Sequence, residues 1–314
     1  MTHRKFGPKG WTPDRIGSLS GKTYAITGAN SGAGFQATRT LLLKGASVVM
    51  MNRSVTKSET AINALKEEFG RDVKVSFVQM DLAVLQSVRE AAAEVLQQFP
   101  CIDALICNAA IAQVPTQKLT VDGFESQLGV NYFGHFLLCG LLYERIEKSA
   151  GRIVIVGSNG YKMGLKRIKF EDLNFDNKYS AWNSYAQSKL AQMMFGYELQ
   201  RRVQIAGSRV VVQVCHPGAS RTNLINESAG VLNKIIWAAI APIIAQSAEK
   251  GSWPEVMCAT EKEVEAGKLY GPTKRADTIG AIDACSIDDC ALDQDAAAKL
   301  WAISEEKTDL KWAI

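Results

Sequence analysis

A tyrosine and a lysine four residues apart are the first candidates for chemistry in this sequence. They are Tyr185 and Lys189 of the segment YAQSK, and a helix would place both side chains on one face. A phenol has an ordinary pKa of about 10, and a neighbouring positive charge favours the phenolate, which brings proton transfer within reach of neutral pH. The pair therefore indicates general acid/base chemistry, although the same spacing also occurs on solvated helix faces.

Two further polar residues lie where a proton-transfer site would need them. Ser158 ends the apolar run IVIVGS, and its hydroxyl could hold a substrate oxygen. A turn-forming serine before Asn159 and Gly160 is the plainer interpretation. Asn131 falls within the apolar segment GVNYFGHF and needs a hydrogen-bond partner if it is buried. It would either bond to backbone as core structure or support a proton relay to Lys189.

Three glycines crowd the segment TGANSGAG, namely Gly28, Gly32 and Gly34. Glycine costs about 0.5–1 kcal/mol relative to alanine inside regular structure, so this cluster indicates a sharp bend or a close approach. The segment follows the strand-like run TYAIT and precedes a helix, which is where backbone N–H groups receive a dinucleotide pyrophosphate. The spacing differs from the commoner G-x-G-x-x-G, and a purely structural turn is the alternative.

The end of the second predicted strand, VVMMNRS, bears on which dinucleotide would bind. An acidic residue there would bond the ribose 2′-hydroxyl of NAD and repel a 2′-phosphate. This chain has the neutral Asn52, followed by Arg53, which can pair with phosphate. The pattern favours NADP(H), with a solvent-facing Arg53 as the alternative.

Alternating elements position these residues. Short β-branched or apolar runs alternate with segments of helical period, which predicts a single doubly wound α/β domain over 21–314, with a mostly parallel seven-stranded sheet and helices on both faces. Residues 1–20 are predicted to form an extended arm, and 218–260 to cover the substrate. The predicted strands are Thr23–Thr27, Ser47–Met51, Val73–Gln79, Ala104–Cys107, Arg152–Val156, Arg209–Val214 and Lys268–Tyr270, and the predicted helices are Gln36–Lys44, Val55–Phe69, Leu85–Gln98, Phe124–Lys148 and Tyr185–Val203.

Composition narrows the class of partner. The net charge is +4, from 36 basic and 32 acidic residues without blocks of one sign, so a small molecule is favoured over nucleic acid. Seven cysteines without paired CxxC spacing indicate reduced packing residues, a cytoplasmic protein and no metal site. The longest apolar run, Ile235–Ala245, is too short to span a bilayer and contains Pro242. It is expected to wall a pocket or to pack in the core.

Taken together, the motifs resemble one family, the short-chain dehydrogenase/reductases. The motifs that carry the resemblance, in the family's order, are TGANSGAG, the CNAA of Cys107–Ala110, Asn131, Ser158, the Tyr185/Lys189 pair and the HPG of His216–Gly218. The segments FEDLNF, SYAQSKLAQ and LWAISEE are similar to the retinol-dehydrogenase-like branch, whose members reduce or oxidise retinoids, steroids and other lipophilic carbonyls. CNAA stands where the family usually has NNAG, a departure that bears on cofactor affinity.

The resemblance implies roles for individual residues. Tyr185 would be the general acid/base, Lys189 would lower its pKa and hold the nicotinamide ribose, Ser158 would orient the carbonyl, and Asn131 would support a water relay. The residues implied or predicted to contact the cofactor are Gly28, Asn30, Ser31, Gly32, Gly34, Asn52, Arg53, Asp81, Leu82, Asn108, Ala109, Tyr185, Lys189, Pro217, Gly218 and Thr222.

The sequence thus predicts an NADP-dependent oxidoreductase that acts on a carbonyl or alcohol, with Trp182 and an apolar segment beside the site favouring a lipophilic substrate. A carbon–carbon double-bond reductase resembling the protochlorophyllide reductases is one alternative. A non-catalytic sensor of NADPH is another, against which the complete set of four catalytic candidates argues. The physiological direction stays open, and a homo-oligomer remains possible.

Overall fold

A computed structural model describes residues 5–219 and 246–314. One sheet of eight strands organises them, in the order β3-β2-β1-β4-β5-β6-β7-β8. Strands β1 to β7 pair in parallel, and β8 runs antiparallel to β7. The strands are β1 Thr23–Thr27, β2 Ser47–Asn52, β3 Val75–Gln79, β4 Ala104–Cys107, β5 Arg152–Val156, β6 Val211–Cys215, β7 Leu269–Lys274 and β8 Ile279–Cys285.

Helices cover both faces of the sheet and enclose two apolar clusters. Alternate residues of β1 point to opposite faces, so Ala25 lies in one cluster and Tyr24 and Ile26 lie in the other. The doubly wound α/β fold predicted from the sequence is confirmed. The helices are α1 Gly32–Leu43, α2 Val55–Phe69, α3 Leu85–Gln98, α4 Ser126–Leu128, α5 Gly134–Lys148, α6 Ala181–Ile205, α7 Ala248–Thr260 and α8 Gln294–Thr308.

The predicted count of seven strands is wrong, because β8 was not recognised. Its segment contains Gly280, Ala281 and Ala284, which are poor strand formers and mask the alternating pattern. The strand forms because β7 presents an edge to it, with Leu269 opposite Cys285 in the register. Pairing between strands, rather than local propensity, decides this element.

The predicted helix Phe124–Lys148 is interrupted in the structure. The helix α4 is followed by a π-helical turn, Gly129–Phe133, before α5 begins at Gly134. Single π-helical turns are rare and frequently occur at functional sites. This one carries Asn131.

The predicted N-terminal arm, residues 1–20, is described from Lys5 onward, and this part packs against the sheet. Trp11 is fully buried, and its backbone N–H donates to the carbonyl of Ile282 in β8 at 2.9 Å. Its indole N–H donates to the carboxylate of Glu261 at 3.0 Å. These contacts hold the N-terminal segment against the antiparallel edge.

The segment predicted to cover the substrate, 218–260, divides in two. Helix α7 packs against α1 and β5 and contributes to the core. Residues 220–245, including the run Ile235–Ala245, lie outside the described residues. Among residues 5–219 and 246–314, no helix combines the length and apolar composition needed to cross a bilayer.

Aromatic side chains pack the C-terminal segment against α5 and α6. Trp312 lies with its ring centroid 5.6 Å from that of Phe136, 6.0 Å from that of Phe195 and 5.0 Å from that of Trp301 in α8. The segment after α8 therefore closes one face of the larger apolar cluster.

Replacing Trp312 with alanine is expected to lower the free energy of unfolding by about 2–3 kcal/mol, because its apolar area and ring contacts are lost together. Urea unfolding would measure the change. Lys311→Ala is the matched control, since that side chain is 81% exposed and its ion pair with Glu305 spans 3.4 Å. Equal losses in the two variants would contradict a stabilising role for the aromatic cluster.

Candidate active site

The candidate residues converge at the carboxyl edge of the sheet. Gly28 follows β1, Asn108 follows β4, Ser158 follows β5 by two residues, and Pro217 follows β6 by two residues. These four strands are neighbours in the sheet. Ligands bind at this edge in open α/β sheets, at the point where the strand order reverses.

The glycine-rich turn is shaped as a cradle. Gly28 and Gly32 have φ values of 67° and 57°, which a residue with a side chain adopts only with strain. A Cβ atom at Gly28 would lie 2.9 Å from the Cα atom of Ala109, and one at Gly34 would meet the Asn108 carboxamide. The glycines therefore serve the turn itself as well as any ligand.

The start of α1 leaves backbone donors available to an anion. Ser31 occupies the N-cap position and is exposed, yet its hydroxyl makes no capping hydrogen bond, and the first turn contains no acidic residue. The first N–H groups of a helix have no partner within the helix, and they carry a partial positive charge. The turn and the helix start together fit a dinucleotide pyrophosphate.

Two asparagines predicted to contact the cofactor brace the turn with their side chains. Asn52 is 3% exposed, accepts the N–H of Ala29 at 2.6 Å and donates to Ser58 at 3.1 Å. Asn108 donates to the carbonyls of Thr27 at 2.9 Å and Gly28 at 3.2 Å. Both carboxamides fix the backbone that would meet the ligand.

Three further residues predicted to contact the cofactor follow β2 and β3, beside the glycine-rich turn. Arg53 is exposed directly after β2, next to the buried Asn52. Asp81, after β3, uses one oxygen to accept the N–H of Ala83 at 2.9 Å. Leu82 is buried beneath it, and its carbonyl would lie 2.6 Å from a Cβ atom at Gly134.

Tyr185 and Ser158 lie together, as predicted. The Ser158 hydroxyl lies close enough to the Tyr185 phenol to oppose the rise in its pKa, and it accepts the N–H of Gly160 at 3.1 Å. A Cβ atom at Gly160 would lie 3.0 Å from the Tyr185 ring, so glycine lets the loop pack on the phenol. Burial raises the pKa of Tyr185, and the Ser158 hydroxyl opposes this rise only in part.

Lys189 lies one helical turn beyond Tyr185 and is 3% exposed. Its ammonium donates to the carbonyl of Val156 at 3.2 Å and to the carboxamide of Gln192 at 2.8 Å. Burial lowers its pKa to about 7. The expected lowering of the Tyr185 pKa by Lys189 is not found, because burial dominates the phenol.

Asn131 is fully buried in the π-helical turn, and its carboxamide is fully engaged. It accepts the N–H of Ile111 at 2.8 Å and donates to the Ile111 carbonyl and to the Ser188 hydroxyl, each at 2.9 Å. The side chain thus joins the segment after β4 to α6. The backbone carbonyl of Asn131 contacts the ring of His135. The sequence prediction missed His135, although it lies four residues along the same helical run.

The HPG segment after β6 is tightly held. Gly218 has a φ of 69° and donates its N–H to the His216 ring at 3.2 Å. The Pro217 carbonyl accepts the carboxamide of Gln246 at 2.7 Å. Burial lowers the pKa of His216 to about 3. Thr222 lies outside the described residues.

Apolar side chains are exposed near Tyr185. The Trp182 ring centroid is 6.1 Å from that of Tyr185, and its indole N–H donates to the Met163 carbonyl at 3.2 Å. Met163, Leu165 and Trp182 are 63%, 41% and 37% exposed, respectively. We call these three residues the apolar rim.

Comparison with known proteins identifies the family. The family model described as short chain dehydrogenase matches residues 22–170. Retinol dehydrogenase 14 of Mus musculus is 38% identical over 307 residues, which cover 92% of this chain and 86% of the relative. Retinol dehydrogenase 12 of Homo sapiens is 34% identical over 297 residues, covering 94% and 88%.

A solved structure of an uncharacterized protein from Mycobacterium paratuberculosis has a TM-score of 0.79 and 36% identity to this protein, covering 97% of this chain and all of the other. The chain belongs to the short-chain dehydrogenase family, in its retinol-dehydrogenase-like branch. It is therefore an oxidoreductase of a family that binds nicotinamide cofactors.

Proposed function

We propose that this protein is an NADP(H)-dependent oxidoreductase that interconverts a carbonyl and an alcohol on an apolar substrate, with Tyr185 as general acid/base. The observation that carries the proposal is that Tyr185 and Ser158 lie side by side at the carboxyl edge of the sheet, both next to Gly160, with Lys189 one turn further along α6. A proton donor and an oxygen-binding hydroxyl are thereby held side by side.

The chain's own groups perform the proton transfer. In the reductive direction, Tyr185 gives its phenolic proton to the substrate oxygen, and Ser158 donates a hydrogen bond to the same oxygen as negative charge develops. In the oxidative direction the phenolate takes the proton from the alcohol. The nicotinamide cofactor, when bound, supplies or accepts the hydride.

Burial makes the resting phenol a poor base, since its pKa is raised. Lys189 is proposed to hold the nicotinamide ribose, and its positive charge near the phenol would favour phenolate in the oxidative direction. Asn131 is proposed to support a water relay toward Lys189, from a position that its carboxamide fixes by bonding to Ile111 and Ser188.

The cofactor is proposed to lie along the carboxyl edge. The turn and the start of α1 would hold the pyrophosphate, Asp81 and Leu82 the adenine, and the HPG segment the nicotinamide amide. Asn52 and Asn108 act by bracing the turn. The further residues proposed to line this cleft are Asn30, Ser31, Ala109 and Thr222.

Preference for NADP(H) is proposed to depend on Arg53 and on the neutrality of Asn52. Asn52→Asp is expected to reduce the ratio of kcat/KM for NADPH over NADH by about 10–100-fold, because a carboxylate at the end of β2 repels a 2′-phosphate. The new side chain can still accept the Ala29 N–H that Asn52 now accepts at 2.6 Å.

Asn52→Leu is the control for this cofactor experiment. It removes the brace without adding charge, so it should weaken NADPH and NADH alike and leave their ratio within about threefold. Steady-state kinetics with both cofactors would measure both effects. An unchanged ratio in Asn52→Asp would show that the charge at β2 does not select the cofactor.

A lipophilic substrate is supported by two observations. The apolar rim lies beside Tyr185 and is exposed. The relatives named above are retinol dehydrogenases. Retinoids, steroids and other apolar ketones or aldehydes are therefore the first substrates to test.

The test is consumption of NADPH by the purified protein with ketones, aldehydes, quinones, retinoids and steroids, repeated with NADH and with the oxidised cofactors. Turnover of a carbonyl or alcohol supports the proposal. Tight NADPH binding without any turnover would favour a non-catalytic redox sensor. Reduction confined to a carbon–carbon double bond would favour the protochlorophyllide-reductase type of reaction.

A further inference from the structure

A buried histidine connects the π-helical turn to the glycine-rich turn. His135 lies in the first turn of α5, is 1% exposed, and has its Nδ1 atom 2.9 Å from the carbonyl oxygen of Asn131. Its Nε2 atom is 2.9 Å from the hydroxyl of Thr27, the last residue of β1. That hydroxyl accepts the N–H of Ala109 at 2.9 Å. We call this series of contacts the His135 bridge.

The direction of each hydrogen bond follows from the partners. A carbonyl oxygen only accepts, so the proton of neutral His135 must be on Nδ1 and donate to Asn131. Nε2 is then an acceptor, and the Thr27 hydroxyl donates to it while it receives the N–H of Ala109. Each hydrogen in the bridge then has one acceptor. In the opposite tautomer, the lone pair of Nδ1 would face a lone pair of the Asn131 carbonyl oxygen, which is repulsive.

The neutral form is the one that the surroundings favour. Burial lowers the pKa of His135 to about 4, and the nearby ammonium of Lys189 acts in the same direction. A second ring proton would also turn the Thr27 hydroxyl toward the Ile106 carbonyl, at the longer distance of 3.5 Å. The imidazole is thus a fixed neutral link at physiological pH.

The bridge ends at the atoms that shape the cradle. Thr27 immediately precedes Gly28, and the Cα atom of Ala109 is the atom that a Cβ at Gly28 would approach to 2.9 Å. The position of Ala109 relative to Gly28 therefore sets the width of the cradle. At its other end, the bridge fixes the carbonyl of Asn131.

We propose that His135 is a positioning residue, which holds the Ala109 loop against the glycine-rich turn and so sets the affinity for the dinucleotide. This inference rests on the proposed function, because it assumes that the cradle receives NADP(H). Its effect acts through Thr27 and Ala109, without contact between the imidazole and the ligand.

The first test is the dissociation constant for NADPH, measured by fluorescence titration. His135→Phe, which removes both hydrogen bonds, is expected to weaken binding by about 10-fold. His135→Gln can keep an acceptor toward Thr27 and should recover most of the affinity. His135→Asn can keep only the donor toward Asn131, and it should resemble His135→Phe.

The matched control is Tyr132→Phe. Tyr132 lies in the π-helical turn that precedes α5 and is as buried as His135, but its hydroxyl bonds to Ser304 of α8 at 2.6 Å, away from the cradle. This variant should lose thermal stability to a degree comparable with His135→Phe while keeping the wild-type affinity for NADPH. General destabilisation would instead weaken binding in both variants.

A double-mutant cycle tests the connection through Thr27. Thr27→Val alone should also weaken NADPH binding by about 10-fold, whereas adding His135→Phe to it should cost less than about threefold more, because the bridge is already broken. Multiplicative losses would overturn the coupling.

The tautomer has a spectroscopic test. The chain contains three histidines, so ¹⁵N-histidine labelling with His135→Asn as the assignment control isolates the His135 signals. The expected result is a neutral ring protonated at Nδ1, with no titration between about pH 5.5 and 8. A ring protonated at Nε2, or one that titrates in this range, would overturn the bridge as described.

Failure of the inference can be distinguished from failure of the proposed function. If wild-type protein binds neither NADPH nor NADH, the proposed function fails and so does this inference. If wild-type protein binds NADPH and His135→Phe binds it equally well, only the positioning role fails.

Discussion

Replacing Tyr185 with phenylalanine is expected to lower kcat by about 10³-fold, while the dissociation constant for NADPH changes by less than about threefold. General acid/base catalysis by a positioned side chain contributes about 10²–10⁴-fold, and a phenylalanine ring has no hydroxyl proton to give. The ring contacts with Gly160 and Trp182 do not involve the hydroxyl, so the site should keep its shape.

The measurement is steady-state turnover with the best substrate of the panel, together with NADPH titration of each variant. Tyr161→Phe is the control. It removes a phenolic hydroxyl from the loop after Ser158, one that accepts the N–H of Asp288 at 2.7 Å, and it leaves Tyr185 in place. We expect its kcat to remain within about fivefold of wild type. Full turnover by Tyr185→Phe would mean that another group transfers the proton.

Replacing Glu255 with glutamine is expected to stabilise the protein strongly at alkaline pH. Glu255 lies in α7, is 1% exposed, and neither carboxylate oxygen has a hydrogen-bond partner among the described residues. The thiol of Cys215 lies near enough to interact electrostatically, and burial raises the pKa of Glu255 to about 8. An unpaired buried carboxylate is costly, so the side chain stays protonated instead.

The sign of the pH dependence follows from these pKa values. The folded-state pKa of about 8 is above the reference value of 4.5. The folded protein thus retains a proton that the unfolded chain releases, and this contribution to stability is complete below pH 4.5 and is lost as the pH rises through 8. Glutamine does not titrate, so the variant should not lose this stability as the pH rises.

We expect the free energy of unfolding of Glu255→Gln to exceed that of wild type by roughly 4–5 kcal/mol at and above pH 8, with the difference shrinking toward zero near pH 5. Denaturant unfolding at pH steps from about 5 to 8.5 would measure it. Glu249→Gln, at an exposed position in the first turn of α7, is the control and should change the free energy of unfolding only slightly. A pH-independent difference for Glu255→Gln would contradict a buried, protonated carboxyl group.

Local sequence patterns were sufficient for the framework of this protein. The alternation of apolar runs with helical segments predicted the parallel sheet, and the residues of YAQSK lie on one helix, as their spacing required. The glycines of TGANSGAG marked the first turn because positive φ values constrain residue type directly. The resemblance to the short-chain dehydrogenases was also confirmed, since it depended on several motifs in a fixed order.

The roles of single side chains depended on contacts between distant segments. Asn52 was interpreted as a discriminator of cofactors, and the structure adds that its carboxamide accepts the N–H of Ala29, a partner that only the packing of β2 beside β1 supplies. The eighth strand depends on an edge that β7 provides. His135 bonds to Thr27 from 108 positions away in the chain.

The amino-acid sequence by itself determined the alternation of strands and helices from β1 to β6, the glycine-rich turn and the helical pairing of Tyr185 with Lys189, because local backbone preferences and periodicity decide these features. Only the tertiary structure decided the direction of the Tyr185 pKa shift, the burial of Glu255 and Trp11, and the contacts of Asn131. Burial and hydrogen-bond partnership are properties of the assembled layers, and no single segment of the chain contains them.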